Sequence, residues 1–172
     1  MTRRRFTRNR VSARKGNLVW ITNVIEASIL EIAGLDIGDL VVPSDWEGQG
    51  FDRCTLMGIR GWLGAAQAAA ATAADACGLY LAIYVTDQQS GAMAPGIATD
   101  YTTYDVLWTA GSAASATGAT AQPAQYGQQV EVKARRRLTS AQEVRMVAGL
   151  TTDTATPRYK INGVIRALLK TD

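Results

Sequence analysis

Along the chain, apolar side chains at alternate positions mark a series of segments. Stretches rich in glycine, alanine, serine, threonine and acids separate them. In residues 17–30 (NLVWITNVIEASIL), Val19, Ile21, Ile25 and Ile29 share one parity, which predicts a strand with one face in a core. Residues 33–49 contain Gly34, Gly38, Pro43 and Gly48 and read as a long connection with room for a helical turn. Residues 51–63 (FDRCTLMGIRGWL) read as a second strand, with Gly58 and Gly61 marking close packing or a bulge. The alanine-rich run 64–77 has high helix propensity, but its flanks are strand-like and residues 75–78 (DACG) have turn composition. A strand end followed by loop and a short helix both stay open there. Residues 78–87 (GLYLAIYVTD) carry Leu79, Leu81, Ile83 and Val85 on one face and Tyr80, Ala82 and Tyr84 on the other. Both faces are apolar, which predicts a strand inside a sheet rather than at its edge.

A loop is expected over residues 88–100, then a strand within 101–110 with Val106 and Trp108 in phase. Residues 111–128 are dominated by Gly, Ala, Ser and Thr, the composition of a flexible surface loop. Residues 129–138 (QVEVKARRRL) alternate, with Val130, Val132 and Ala134 to one side and Glu131, Lys133 and Arg135 to the other. Burial is expected to end near Ala134. A short link at 139–142 leads to a strand in 143–150. After a polar turn at 151–158, residues 159–170 (YKINGVIRALLK) put Ile161, Ile165 and Leu169 in phase. Seven or eight strands joined by turn-rich loops, without an internal repeat, predict an all-β fold, an antiparallel two-sheet sandwich.

The chain has 172 residues, 47% of them hydrophobic and 19% charged, enough to bury a core without metals or many disulfides. No apolar run approaches the roughly 18 residues of a membrane span. The N-terminus is basic with no apolar run after it, unlike a secretory signal, and it shows no amphipathic helix of the mitochondrial kind. Histidine is absent, which removes the usual general base, the commonest metal ligand and the usual triad partner. Cys54 and Cys77 are too few and too far apart for a zinc site. They read as two small buried side chains, with a disulfide open if their segments pair. No cofactor or metal is expected.

Charge changes this picture most. The net charge of +3 conceals +7 on residues 1–16, from Arg3, Arg4, Arg5, Arg8, Arg10, Arg14 and Lys15, against −4 on the remainder. A basic arm (1–16) before a mildly acidic domain (17–172) is the footprint of polyanion binding. Arginine outnumbers lysine six to one in this arm. A planar guanidinium binds phosphate through two parallel hydrogen bonds and positions a backbone without reading sequence. Phe6, among the arginines, suits base stacking or anchoring onto the domain. The competing readings of the arm are a nuclear-import signal, which is compatible with packaging, membrane attraction, or a solvated tail. A second candidate patch is Lys133, Arg135 and Arg137, which also suit a solvated face or ion pairs with a neighbouring copy.

The arm-to-strand stretch RRRFTRNRVSARKGNLVW resembles the start of the capsid proteins of small single-stranded DNA viruses known from environmental sequences. TLMGIRGWLG, the strands around VEVKARRRL and EVRMVAGL, and the terminal NGVIRALLK also look like this group. The layout as a whole resembles the single jelly-roll coat proteins of small icosahedral viruses. That resemblance implies an eight-stranded jelly roll and many copies of the chain closing into an icosahedral shell. It also implies viral genomic nucleic acid held by the arm, and a place in the virion. Neither a membrane nor a small-molecule substrate enters this expectation. Shell contacts are expected from the long loops, through Trp46, Met93 and Pro95.

Three other classes compete. A lone nucleic-acid-binding domain needs aromatic residues on a basic sheet face, whereas the Trp and Tyr residues mostly have apolar or acidic neighbours in the chain. A decoration or fibre subunit of a larger phage has no need of the arm. A hydrolase needs placed carboxylates, and nothing in the sequence separates Asp45, Glu47 or Asp52 from a solvated acidic loop. The chain is therefore expected not to be an enzyme.

Overall fold

Alternation becomes pairing in the computed structural model, which describes residues 5–11, 18–29, 35–48, 50–51, 53–67, 79–87, 104–111, 125–150 and 159–171. The strands are β1 (Arg5–Val11), β2 (Leu18–Ile29), β3 (Leu35–Val41), β4 (Cys54–Gln67), β5 (Leu79–Asp87), β6 (Asp105–Gly111), β7 (Gln125–Val132), β8 (Arg136–Leu138), β9 (Gln142–Leu150) and β10 (Tyr159–Thr171). One helical turn, α1 (Ser44–Glu47), follows β3. All pairings are antiparallel. One sheet runs β1-β2-β10-β4-β7, with β8 also on β4, and the other runs β3-β9-β5-β6. From β2 onward the chain crosses to the opposite sheet at each connection except β5 to β6 and β7 to β8. This two-sheet sandwich is the jelly roll, in which double Greek-key winding brings the last strand, β10, beside β2.

The inward faces of β2, β5 and β10 are the ones the parity identifies, whereas on β4 a bulge opposite Leu168/Leu169 puts Leu56 and Ile59, of opposite parity, on the same side. Val19, Ile21 and Ile25 of β2, Leu56, Ile59 and Leu63 of β4, and Ile161, Ile165 and Leu169 of β10 form one side of the core. Leu79, Leu81, Ile83 and Val85 of β5, with Val144, Met146 and Ala148 of β9, form the other. Strand β5 lies between β9 and β6, and most of its second face is buried as well. There Ala82, Tyr84 and Val147 form a smaller cluster, with the Tyr104 ring edge-on to Tyr84 at 5.3 Å.

Two polar contacts, one buried and one half-buried, tie strands together. Asn23, fully buried on the inward face of β2, donates its Nδ2 hydrogen to the Leu40 carbonyl of β3 at 2.9 Å, joining the two sheets. Arg145 of β9 lies 3.1 Å from the Asp39 carboxylate of β3 and 2.9 Å from the Glu143 carboxylate.

The structure departs from the sequence expectations at several points. Residues 5–11, counted within the basic arm, form β1 along the outer edge of β2. An edge strand tolerates arginine because charge there opposes pairing with another chain. The expected connection at 33–49 contains β3, whose weak alternation reflects a register shift at Gly38, with φ of 129°. Only glycine adopts that conformation without strain. Trp46, expected at a subunit contact, is fully buried, because α1 folds it into the core. Asp45 is buried as well, and its Oδ2 accepts the Val42 N–H at 2.9 Å, which makes it a turn-closing group. The alanine-rich run continues β4 as far as Gln67, and its remainder lies outside the described residues. Val106 and Trp108 do not share a face. A bulge opposite Ile83/Tyr84 sends Val106 to the outer cluster and Trp108 to the core. The single strand expected at 129–138 breaks at 133–135, and burial resumes at Leu138. Cys54 is buried on β4, whereas Cys77 lies outside the described residues, as do Met93 and Pro95 and most of the loops at 88–100 and 111–128.

Candidate nucleic-acid interface

Strand β1 places Arg5, Arg8 and Arg10 in register with Glu26, Asn23 and Ile21 of β2. Arg3, Arg4, Arg14 and Lys15 lie outside the described residues. At the far side of the same sheet, Lys133 and Arg135 are exposed in the break between β7 and β8, and Arg137 is exposed on β8 opposite Thr55. Lys133 lies 3.6 Å from Glu131. Arg136, the middle member of the triplet, meets Asp105 of β6 at 2.8 Å and so bridges the two sheets. Strands β2, β10 and β4 separate β1 from β7 and β8, so Arg5, Arg8 and Arg10 are not brought together with Lys133, Arg135 and Arg137.

Between them lies the outward face of the sheet, which linear order does not display. Its residues are those of opposite parity to the core, and the register arranges them in rows. One row runs Val24, Val164, Trp62, Gln129 across β2, β10, β4 and β7. The next runs Thr22, Arg166, Arg60, Glu131. The third pairs Trp20 with Leu168. Two arginines on neighbouring strands thus occupy the row between two tryptophans. Trp62 is 57% exposed, the most open large apolar side chain among the described residues. Its indole rests over glycines. A Cβ added at Gly64 would come within 2.8 Å of Trp62 Cη2, and one added at Gly127 within 3.0 Å of Cζ2. A side chain at Gly64 would displace the ring, and one at Gly127 would crowd it, so these glycines leave room for the indole to lie along the sheet. The signal available in the sequence was Trp62 at opposite parity to Leu63, with Gly64 two residues on. What it lacked was the partner Gly127, more than sixty residues away.

Among the described residues, no three Cys, Asp or Glu side chains gather as a metal site.

The fold has solved counterparts of low similarity. A mutant VP2 protein of infectious bursal disease virus, from T=1 particles, matches with TM-score 0.41 at 8% identity, over 88% of this chain and 31% of that one. The VP2 subviral particle of the same virus matches with TM-score 0.38 at 10% identity, over 96% and 33%. A xylan-binding module matches with TM-score 0.35 at 9% identity, over 98% and 96%. The chain therefore spans about a third of the length of the VP2 proteins it matches. No protein-family model matches this chain, and no curated protein sequence matches it. At these scores the likenesses add nothing to the strand order, which carries the fold unaided.

Proposed function

We propose that this protein is a structural shell subunit, many copies of which close into a particle and hold nucleic acid through the basic N-terminal segment. The observation that carries this reading is one of arrangement: seven positive charges in residues 1–16 lead directly into a jelly roll. A jelly roll presents two broad sheet faces and sheet edges from which distinct contacts can be made, and a closed shell needs more than one kind of contact. Seven cationic side chains within sixteen residues bind a polyanion without regard to sequence. The reading assigns no catalytic role to any residue, and it places the protein in a virus particle.

The nucleic-acid-binding domain without a shell is the second reading, favoured by the Trp62, Arg60 and Arg166 face. Electron microscopy and size-exclusion chromatography, with absorbance followed at nucleic-acid and protein wavelengths, distinguish the two. A shell subunit yields uniform closed particles that carry nucleic acid. A monodisperse monomer in every salt and pH condition, binding nucleic acid but never forming particles, replaces the first reading with the second.

A further inference from the structure

We propose that the outward face of the six-stranded sheet is itself a binding site for single-stranded nucleic acid, with Trp62 as a base-stacking platform and Arg60 and Arg166 as phosphate contacts. The proposal deepens the functional reading above and rests on its choice of nucleic acid as partner. Three features of the face support it.

First, the open side of Trp62 is presented as a flat surface. The ring lies close over Gly64 and Gly127, so part of it is packed on the sheet while the residue stays 57% exposed to a ligand. Stacking on such a ring tolerates any base, since every base has a π face. Second, the cations are placed beside it and are available. Arg60 and Arg166 are exposed neighbours on β4 and β10, one row from Trp62, and neither has an ion-pair partner among the described residues. The nearest acid in their row, Glu131, is engaged by Lys133. Exposed Lys160 and Lys170 lie farther along β10 on the same side, while the other exposed acid of this face among the described residues, Glu26, lies on β2 in register with Arg5 of β1. The face is thus net positive even though the chain beyond residue 16 is net negative. Third, Trp20 lies on the other side of the arginine row, giving the alternation of aromatic and cationic groups that an extended single strand matches. Asn162 and Gln129, at register positions flanking Trp62, add hydrogen-bonding capacity toward base edges.

The test uses the full chain, freed of co-purified nucleic acid and kept as dissociated subunits, titrated with a short oligothymidylate while tryptophan fluorescence is followed. Of the four tryptophans, Trp46 is fully buried and Trp20 and Trp108 are half-buried, so quenching reports mainly on Trp62. Trp62→Ala is expected to bind on the order of tenfold more weakly and to lose most of the quenching. Trp62→Phe, which keeps a stacking ring, is expected to recover most of the affinity. Arg60→Gln combined with Arg166→Gln is expected to flatten the log–log salt slope by about 1.4. If Trp62→Ala unfolds, the quenching of the native protein and the slope of the double arginine variant decide the matter. Unchanged affinity, quenching and slope in all variants overturn the proposal and leave packaging by the N-terminal segment standing. No binding of oligothymidylate by the native protein at any salt overturns both. Quenching by a soluble xylan but not by oligothymidylate would show a sugar platform instead. Loss of particles in Trp62→Ala with unchanged oligonucleotide affinity would show a contact between subunits.

Discussion

Leu81 tests the core assignment most directly. It lies on β5 at 4% exposure, on the face turned toward β2, β4 and β10, and β5 is flanked by β9 and β6. Leu81→Ala removes three carbon atoms. At about 0.8 kcal/mol per buried methylene the lost transfer energy is roughly 2.4 kcal/mol. The cavity adds to this, because strands paired on both sides cannot collapse inward, and buried Leu→Ala changes span about 2.7–5 kcal/mol. The expected loss is therefore about 3–5 kcal/mol, equivalent to roughly 6–20 °C in Tm for a domain of this size. Urea unfolding followed by circular dichroism measures it. It must be done on dissociated subunits, since assembly would add a concentration-dependent term to apparent stability. The midpoint should fall with an unchanged m-value. A loss below about 0.5 kcal/mol would mean that Leu81 is not between the sheets and would refute the face assignment.

Three further outcomes follow from particular contacts. Asn23→Ala removes the donor to the Leu40 carbonyl and leaves that carbonyl unsatisfied in the core, so a loss of about 1–3 kcal/mol in urea unfolding is expected, and a neutral variant would deny the contact any role. Gly61→Ala places a Cβ against the Val164 carbonyl oxygen and 2.8 Å from Ile165 Cα, so β4 and β10 must separate; at least about 1–3 kcal/mol of destabilisation is expected, and a Tm equal to that of the native chain would show that the strands do not approach so closely. If all seven basic residues of the N-terminal segment neutralise phosphates on a single strand, they contribute roughly −5 to the log–log salt slope of nucleic-acid binding, and replacing Arg3, Arg4, Arg14 and Lys15 with Gln should flatten the slope by about 3. Substitution is the sound test here, because deleting residues 2–15 would also remove β1. An unchanged slope would place the phosphate contacts elsewhere.

The sequence by itself determined the class of fold and the inward faces of β2, β5, β7 and β10. Ile161, Ile165 and Leu169 of β10, and Leu79, Leu81, Ile83 and Val85 of β5, are buried as their parity predicts, because a period of two is a local property that burial of one sheet face imposes. Segregation of charge into residues 1–16 was equally legible, since it needs only counting. Tertiary structure decided what depends on partners distant in the chain. The bulge between β5 and β6 parts Val106 from Trp108, and α1 turns Trp46 from an expected contact into core. Strand β1 exists because β2 offers it a free edge, although its own composition reads as a tail. The outward face is the clearest case. Trp62, Gly64 and Arg60 lie within five residues, but their neighbours Gly127, Asn162 and Arg166 arrive on β7 and β10. A sheet surface belongs to several strands at once, and register, which no single segment contains, sets which side chains share it.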